Sequence, residues 1–313
     1  MLSLVGRRLL TYIPILFIVS IGVFMLTSLI PGDAAITIAG GPNATPEAIE
    51  AVRQNLRLDE PLVVQYWYWL KDAVTLNFGE SQFSGVPVMD SIADRFPVSL
   101  SLVLAAVAIA ALIGIPLGVF AGIRPGGGID RLNRFTSSLG VGVPNFWLAT
   151  MLILLFAVTL KWLPPSGYVP FTESPGGWLQ TIILPALAMA FFLAAELSRQ
   201  LRAGIIVQLN SNYVRTLWAK GGTTRRVIGG HALRNAASPA ITVLGVHIGT
   251  LLGGTVIIEQ IFSIPGLGSY LLDGITGQDL PVIQGVAMMF VIFQMTMSLI
   301  VDVSYGLLNP KVR

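Results

Sequence analysis

Apolar runs free of Asp, Glu, Lys and Arg recur six times along the chain: Leu10–Ile30, Pro97–Ile123, Phe135–Leu160, Ser174–Ala195, Asn235–Ile258 and Leu280–Val301. Each is long enough to cross a hydrocarbon core, which needs about 20 residues. None alternates apolar and polar positions, so the backbone must satisfy its hydrogen bonds within helices. Prolines 14, 116, 144 and 185 lie inside these runs, and membrane helices tolerate them. The pattern predicts an all-α integral membrane protein with six transmembrane helices. Arg7 and Arg8 precede the first run as the basic region of a signal peptide would. The run is too long for a signal peptide and no small-residue cleavage pattern follows, so the expectation is a retained helix.

Composition sharpens this reading. Of 313 residues, 54% are hydrophobic and 11% charged, where soluble domains carry about 25% charged residues. Mean hydropathy is +0.75. These values exclude a disordered chain, a collagen-like chain and an ordinary soluble enzyme. Net charge is +3 with a pI near 9.3. In a membrane protein that excess reports basic loops rather than nucleic-acid binding. With the N-terminus placed inside, all Lys and Arg except Arg53, Arg57, Lys71, Arg95 and Lys161 fall on the inner side. The asymmetry predicts both termini in the cytoplasm. The sequence has no cysteine, which excludes disulfides and thiolate chemistry.

Between the first two runs lies a long segment with helix signals. Thr45 and Pro46 read as N-cap and first helical residue, with Glu47 and Glu50 near the positive helix end. A second helix is expected to start near Asp59-Glu60-Pro61 and to carry Tyr66-Trp67-Tyr68-Trp69. That cluster suits the core of a small extracytoplasmic domain, an interfacial belt or a partner contact. The chain therefore divides into residues 1–31 (N-terminus and first span), an extracytoplasmic helical segment 32–96, and a core 97–313 that includes a cytoplasmic loop 197–234.

The cytoplasmic loop is the most basic. Tyr213–Lys220 reads as a helix, Gly221-Gly222 as its interruption, and Thr223 or Thr224 as the cap of a second helix through Arg234. A sharp elbow at Gly221 calls for φ > 0. The alternative is a solvated loop that only fixes topology. After the fifth run, Glu259 leads into Ile261–Tyr270, where Pro265, Gly266 and Gly268 force a tight, partly apolar loop on the outer side. Irregular backbone at this depth must line a cavity or be covered by protein, which suits a pore-mouth loop or a surface hairpin. Gly114, Gly118 and Gly122, and Gly245, Gly249 and Gly253, repeat every four residues, a spacing that suits close helix packing or a path lined by small residues.

Enzymatic chemistry finds no support. No phosphate-binding GxxxxGK[ST] loop, HExxH, GxSxG or CxxC occurs, so no catalytic residue is assigned. His231 and His247 are the two histidines. His247 lies within the fifth run without co-ligands at metal spacing, so a hydrogen bond to a neighbouring helix is expected and no metal site. Glu196, Glu259 and Asp302 fall near span ends, where water is expected to reach them.

Four segments resemble one family. Gly6–Ala35 resembles an N-terminal span ending in Pro-Gly-Asp, and Leu76–Leu102 the entry to a second span. Tyr213–Pro239 resembles a cytoplasmic coupling motif, and Glu259–Gly285 an outer loop with the last span. Together they are similar to the permease subunits of ATP-binding-cassette importers of the dipeptide/oligopeptide/nickel type, in the B-type form. Against the broader importer motif, Arg215-Thr216-Leu217 stands where EAA is usual, and His231-Ala232-Leu233-Arg234 where IxLP is usual. His-Ala-Leu-Arg is the usual form of the peptide branch.

The resemblance implies a type I importer fold in the bacterial cytoplasmic (inner) membrane. It implies partners: a second homologous permease forming a heterodimer, two ATP-binding subunits that hold ATP and Mg, and an extracytoplasmic solute-binding protein. Peptide is the implied substrate, with nickel as the alternative. This chain would need no cofactor of its own. Coupling to the ATP-binding subunits would run through loop 213–235, with Tyr213, Ala219, Lys220, Gly221, Arg225, Arg226, His231 and Arg234 as contacts. Glu259, Phe262, Pro265, Gly266 and Gly268 would face the binding protein. A stand-alone secondary transporter is the competing class, but no half-to-half repeat supports it.

Overall fold

The structure, a computed structural model, describes residues 2–26, 35–36, 44–55, 57 and 59–308. The Pro31–Asp33 motif, the end of the first apolar run, and Lys311 and Arg313 lie outside the described residues. Among the described residues all regular structure is helical, with one isolated antiparallel bridge between Glu80 and Pro87.

Helix α1 spans Leu2–Met25, α2 Pro46–Asn55, α3 Leu62–Val74 and α4 Val88–Ile123. Both helices expected in the long segment are present. The tyrosine–tryptophan cluster divides by helical spacing. Tyr66 and Trp69 stack on each other and reach Phe24 of α1, at centroid distances of 5.5 and 5.8 Å. The Tyr66 hydroxyl lies 2.7 Å from Ser20 Oγ. Trp67 and Tyr68 remain exposed, and the Arg57 guanidinium lies 3.7 Å from the Tyr68 ring centroid. Helix α4 starts well before Pro97, because Asp90, Asp94 and Arg95 are accommodated on its first turns.

The third apolar run departs from expectation. It is two helices, α5 (Gly128–Gly142) and α6 (Asn145–Leu152, running on as a π-helical turn to Thr159), bent by 106°. Pro144 is the cause. It lacks an N–H donor and pushes the residue before it out of the helical region. Val143 is extended at φ −92°, ψ 121°, and Pro144 opens α6. Pro14, Pro116 and Pro185 stay inside their helices. Among the described residues five unbroken helices are thus long and apolar enough to span, and six if this bent pair is counted as one span.

Helix α7 (Pro175–Leu209) begins where Ser174 Oγ accepts from Gly177 N–H at 3.1 Å, with Pro175 in the first turn. It is the central helix: 72% of its apolar window is inside the bundle, against 17% for α1. Helix α4 lies along it with almost no separation. A Cβ on Gly118 would stand 2.6 Å from the Ser198 carbonyl oxygen, and one on Gly122 2.7 Å from Ile205 Cβ. Leu102, Ala106 and Ala110 of α4 and Met189, Ala190 and Leu193 of α7 form the core there.

Helices α8 (Asn212–Ala219), α9 (Leu233–Phe262), α10 (Leu267–Gly277) and α11 (Leu280–Leu308) complete the chain. Gly245 and Gly249 of α9 leave no room for a Cβ against Val301 and Gln294 of α11, whereas Gly253 faces open space. The second glycine series is therefore a packing face over two of its three positions. Arg8 of α1 pairs with Asp302 of α11 at 2.9 Å.

Candidate functional site

The first candidate is the elbow after α8. Gly222 N–H donates to the Leu217 carbonyl (3.0 Å) and Gly221 N–H to the Trp218 carbonyl (2.9 Å). This paired closure requires a left-handed residue at the turn, and Gly221 supplies it at φ +77°. The φ > 0 expected from the sequence is present. The following helix does not end at Arg234. It starts at Thr224, passes through a π-helical stretch Arg226–Ala232 and runs directly into α9. One continuous helical rod, on the order of 55 Å long, therefore joins the elbow to Phe262.

The elbow is anchored and exposed at once. Val214, Val227, Ile228 and Ala232 are buried beneath it. Tyr213 Oη donates to Gln208 Oε1 (2.8 Å) and accepts from Asn235 Nδ2 (3.1 Å), tying α7, α8 and α9 together. Tyr213, Ala219, Lys220, Gly221, Arg225, Arg226, His231 and Arg234 are all exposed. Four of them are cationic, so the anchored turn presents a basic surface.

The second candidate lies at the other end of that rod. Glu259 is fully buried rather than reached by water. Its Oε1 accepts from Ser99 Oγ of α4 (2.6 Å), and its Oε2 from Ser269 N–H in the first turn of α10 (2.8 Å). Ser99 Oγ accepts in turn from Leu267 N–H (2.8 Å). A carboxylate at a helix N-terminus satisfies donors that have no intrahelical partner. The glycines make this approach feasible: a Cβ on Gly266 would collide with the Glu259 carboxyl, and one on Gly268 would lie 2.6 Å from Val256 Cα. Glu259, Phe262, Gly266 and Gly268 are buried, and of the five predicted contact residues Pro265 alone is exposed, beside Ser263. The other four shape the loop from within, because the carboxylate turns inward to close α10.

Family models and relatives agree with this architecture. Residues 114–313 match the model described as binding-protein-dependent transport system inner membrane component. Residues 1–103 match the N-terminal model of the same system. The chain belongs to this family of transport-system membrane components. A peptide transport system permease protein of Brucella abortus is 42% identical over 313 residues, covering 100% of this chain and 99% of the relative. The glutathione transport system permease GsiC of Escherichia coli K12 is 40% identical with the same coverage. Among solved structures, the MetNI methionine ABC transporter in inward-facing conformations matches with a TM-score of 0.56 at 16% identity. That match covers 71% of this chain and 97% of the other.

Two features of the permease were not anticipated. Asp130 of α5 is 1% exposed and pairs with Arg202 of α7, while Gly126 N–H donates to its Oδ2 at 2.8 Å. Arg134 lies 3.5 Å away. The signal in the sequence was weak: an acidic residue just before an apolar run, with its partner far along the chain. Asp279 is buried as well, and its Oδ2 accepts from Ser81 Oγ (2.6 Å) and Gln82 N–H (3.0 Å) at the start of α11. His247 meets the Phe192 ring edge-on at 5.3 Å, rather than the expected hydrogen bond to a neighbouring helix.

Proposed function

We propose that the chain is the B-type permease of an ATP-binding-cassette importer of peptides. The observation that carries this reading is the exposed basic elbow at Gly221, continuous through one helix with the Glu259 loop at the opposite end. Force applied at the elbow moves the whole rod, and with it the α4–α10 junction that Glu259 holds. Rigid-body switching of this kind suits alternation between inward- and outward-facing states. Two ATP-binding subunits dock on the elbow and carry ATP and Mg. A second homologous permease completes the path as a heterodimer. An extracytoplasmic binding protein delivers substrate near Ser263 and Pro265, and the basic elbow faces the cytoplasm, as the Lys/Arg asymmetry supports.

Peptide-named relatives across the full chain favour peptide over nickel, and family membership replaces the stand-alone carrier reading. The test is uptake by the purified complex in proteoliposomes, with binding protein and ATP, offering di- and oligopeptides, glutathione or nickel. ATP-dependent uptake of a peptide is expected. Uptake of nickel alone, or uptake without ATP-binding subunits, would overturn the assignment.

A further inference from the structure

Helix α3 has more apolar surface than α1 covers. Tyr66, Trp69 and Ala73 face inward. Gln65, Tyr68 and Asp72 mark a polar edge. Between these edges, Val63, Trp67 and Val74 recur at spacings of four and seven residues and form one stripe. They are 79%, 65% and 76% exposed. Lys71 borders the stripe, where its stem can lie along apolar surface while the ammonium reaches water.

The depth of this stripe is set by what holds α3. The Tyr66 ring touches Phe17 at 6.0 Å and Phe24 at 5.5 Å, and its hydroxyl meets Ser20. Those three residues lie inside the apolar window Gly6–Met25 of a spanning helix, and the charge-free run continues in sequence to Ile30. Phe17 is about 12 Å along the axis from Met25, within a hydrocarbon half-thickness of roughly 15 Å. On α1, Phe17, which packs against Tyr66, is itself 50% exposed, and Ile18 is 68% exposed. As part of a spanning helix, that α1 surface lies at membrane depth.

We propose that α3 is a membrane-embedded interfacial helix, with Val63, Trp67 and Val74 in contact with lipid. Its form fits this: one broad apolar sector, aromatic residues and a basic flank. The segment between α1 and α4 is then partly a membrane element, not wholly an aqueous one. This inference does not depend on what the permease carries.

The absence of native cysteine makes the test direct in this chain. Val63→Cys, Trp67→Cys and Val74→Cys, with Glu47→Cys on α2 as reference, are spin-labelled singly in the assembled complex in nanodiscs. Any cysteines on partner subunits are removed first. Collisions with oxygen, which partitions into lipid, are compared with collisions with a water-soluble nickel chelate. The proposal expects oxygen to dominate at the three α3 positions and the chelate at Glu47. Chelate dominance at the α3 positions would place the stripe in water and overturn it. Exclusion of both reagents, with or without binding protein, would place it under protein and overturn it equally.

Discussion

The Glu259 carboxylate holds three elements at once, so its removal has a calculable effect. In Glu259→Gln one oxygen still accepts from Ser269 N–H. The new amide nitrogen then faces Ser99 Oγ, which already accepts from Leu267 N–H, so the Ser99 hydroxyl loses its acceptor. A buried polar group left unsatisfied costs about 1–3 kcal/mol. In Glu259→Ala both the Ser99 hydroxyl and the Ser269 amide are orphaned, for about 2–6 kcal/mol. At about 1.4 kcal/mol per factor of ten, the Ala variant should speed hydrogen exchange of the Ser269 amide by roughly 5- to 140-fold through the lost amide bond alone. Exchange mass spectrometry on peptides covering residues 264–272 in the assembled complex reads this, alongside the melting temperature. The expected order of loss is Ala greater than Gln greater than wild type. If both variants exchange and melt as wild type does, the carboxylate does not hold α10 against α4.

Other consequences can be measured as directly. Arg202→Leu leaves Asp130 buried with Arg134 and the Gly126 amide as partners, and should lower stability by about 3 kcal/mol; adding Asp130→Asn should restore part of it, and a thermal melt of the four forms checks the cycle. Gly118→Ala places a methyl group against the Ser198 carbonyl and should cost about 1–3 kcal/mol, whereas Gly253→Ala enters open space and should melt within error of wild type. Reporters fused after Gly41, Gly127, Gly167, Gly222 and Gly274 should read out, in, out, in and out, and an external Gly222 would refute the orientation.

The bundle was legible because a membrane helix announces itself through a long charge-free run, and one sequence suffices to see it. Its limits were less so: charges at Asp90, Asp94, Glu196, Arg199 and Arg202 interrupt the hydropathy but not the helix, since several of them find partners. The break at Pro144 was invisible because the same residue type passes through α1, α4 and α7 without ending them. Neighbouring packing decides which proline breaks a helix, and packing is not local. The elbow was readable down to the sign of φ at Gly221, because a tight helix end is a local event. Burial of Glu259 was not readable: Ser99 stands 160 positions away. A charged residue beside an apolar run looks alike whether it meets water or closes another helix.

In the proposed mechanism the Gly221 elbow transmits ATP-driven motion to the rod formed with α9. Gly221→Val tests it most directly. The site has open space for a side chain, so the effect acts through backbone conformation: φ +77° is unfavourable for a β-branched residue, by about 1–2 kcal/mol or more. The measurement is substrate uptake per ATP hydrolysed by the reconstituted complex with its binding protein, with subunit stoichiometry determined on the same sample. The predicted result is an intact bundle with weakened ATPase-subunit docking or a clear fall in uptake per ATP. Wild-type stoichiometry, hydrolysis and uptake together would contradict the claim and leave the elbow as a topological loop only.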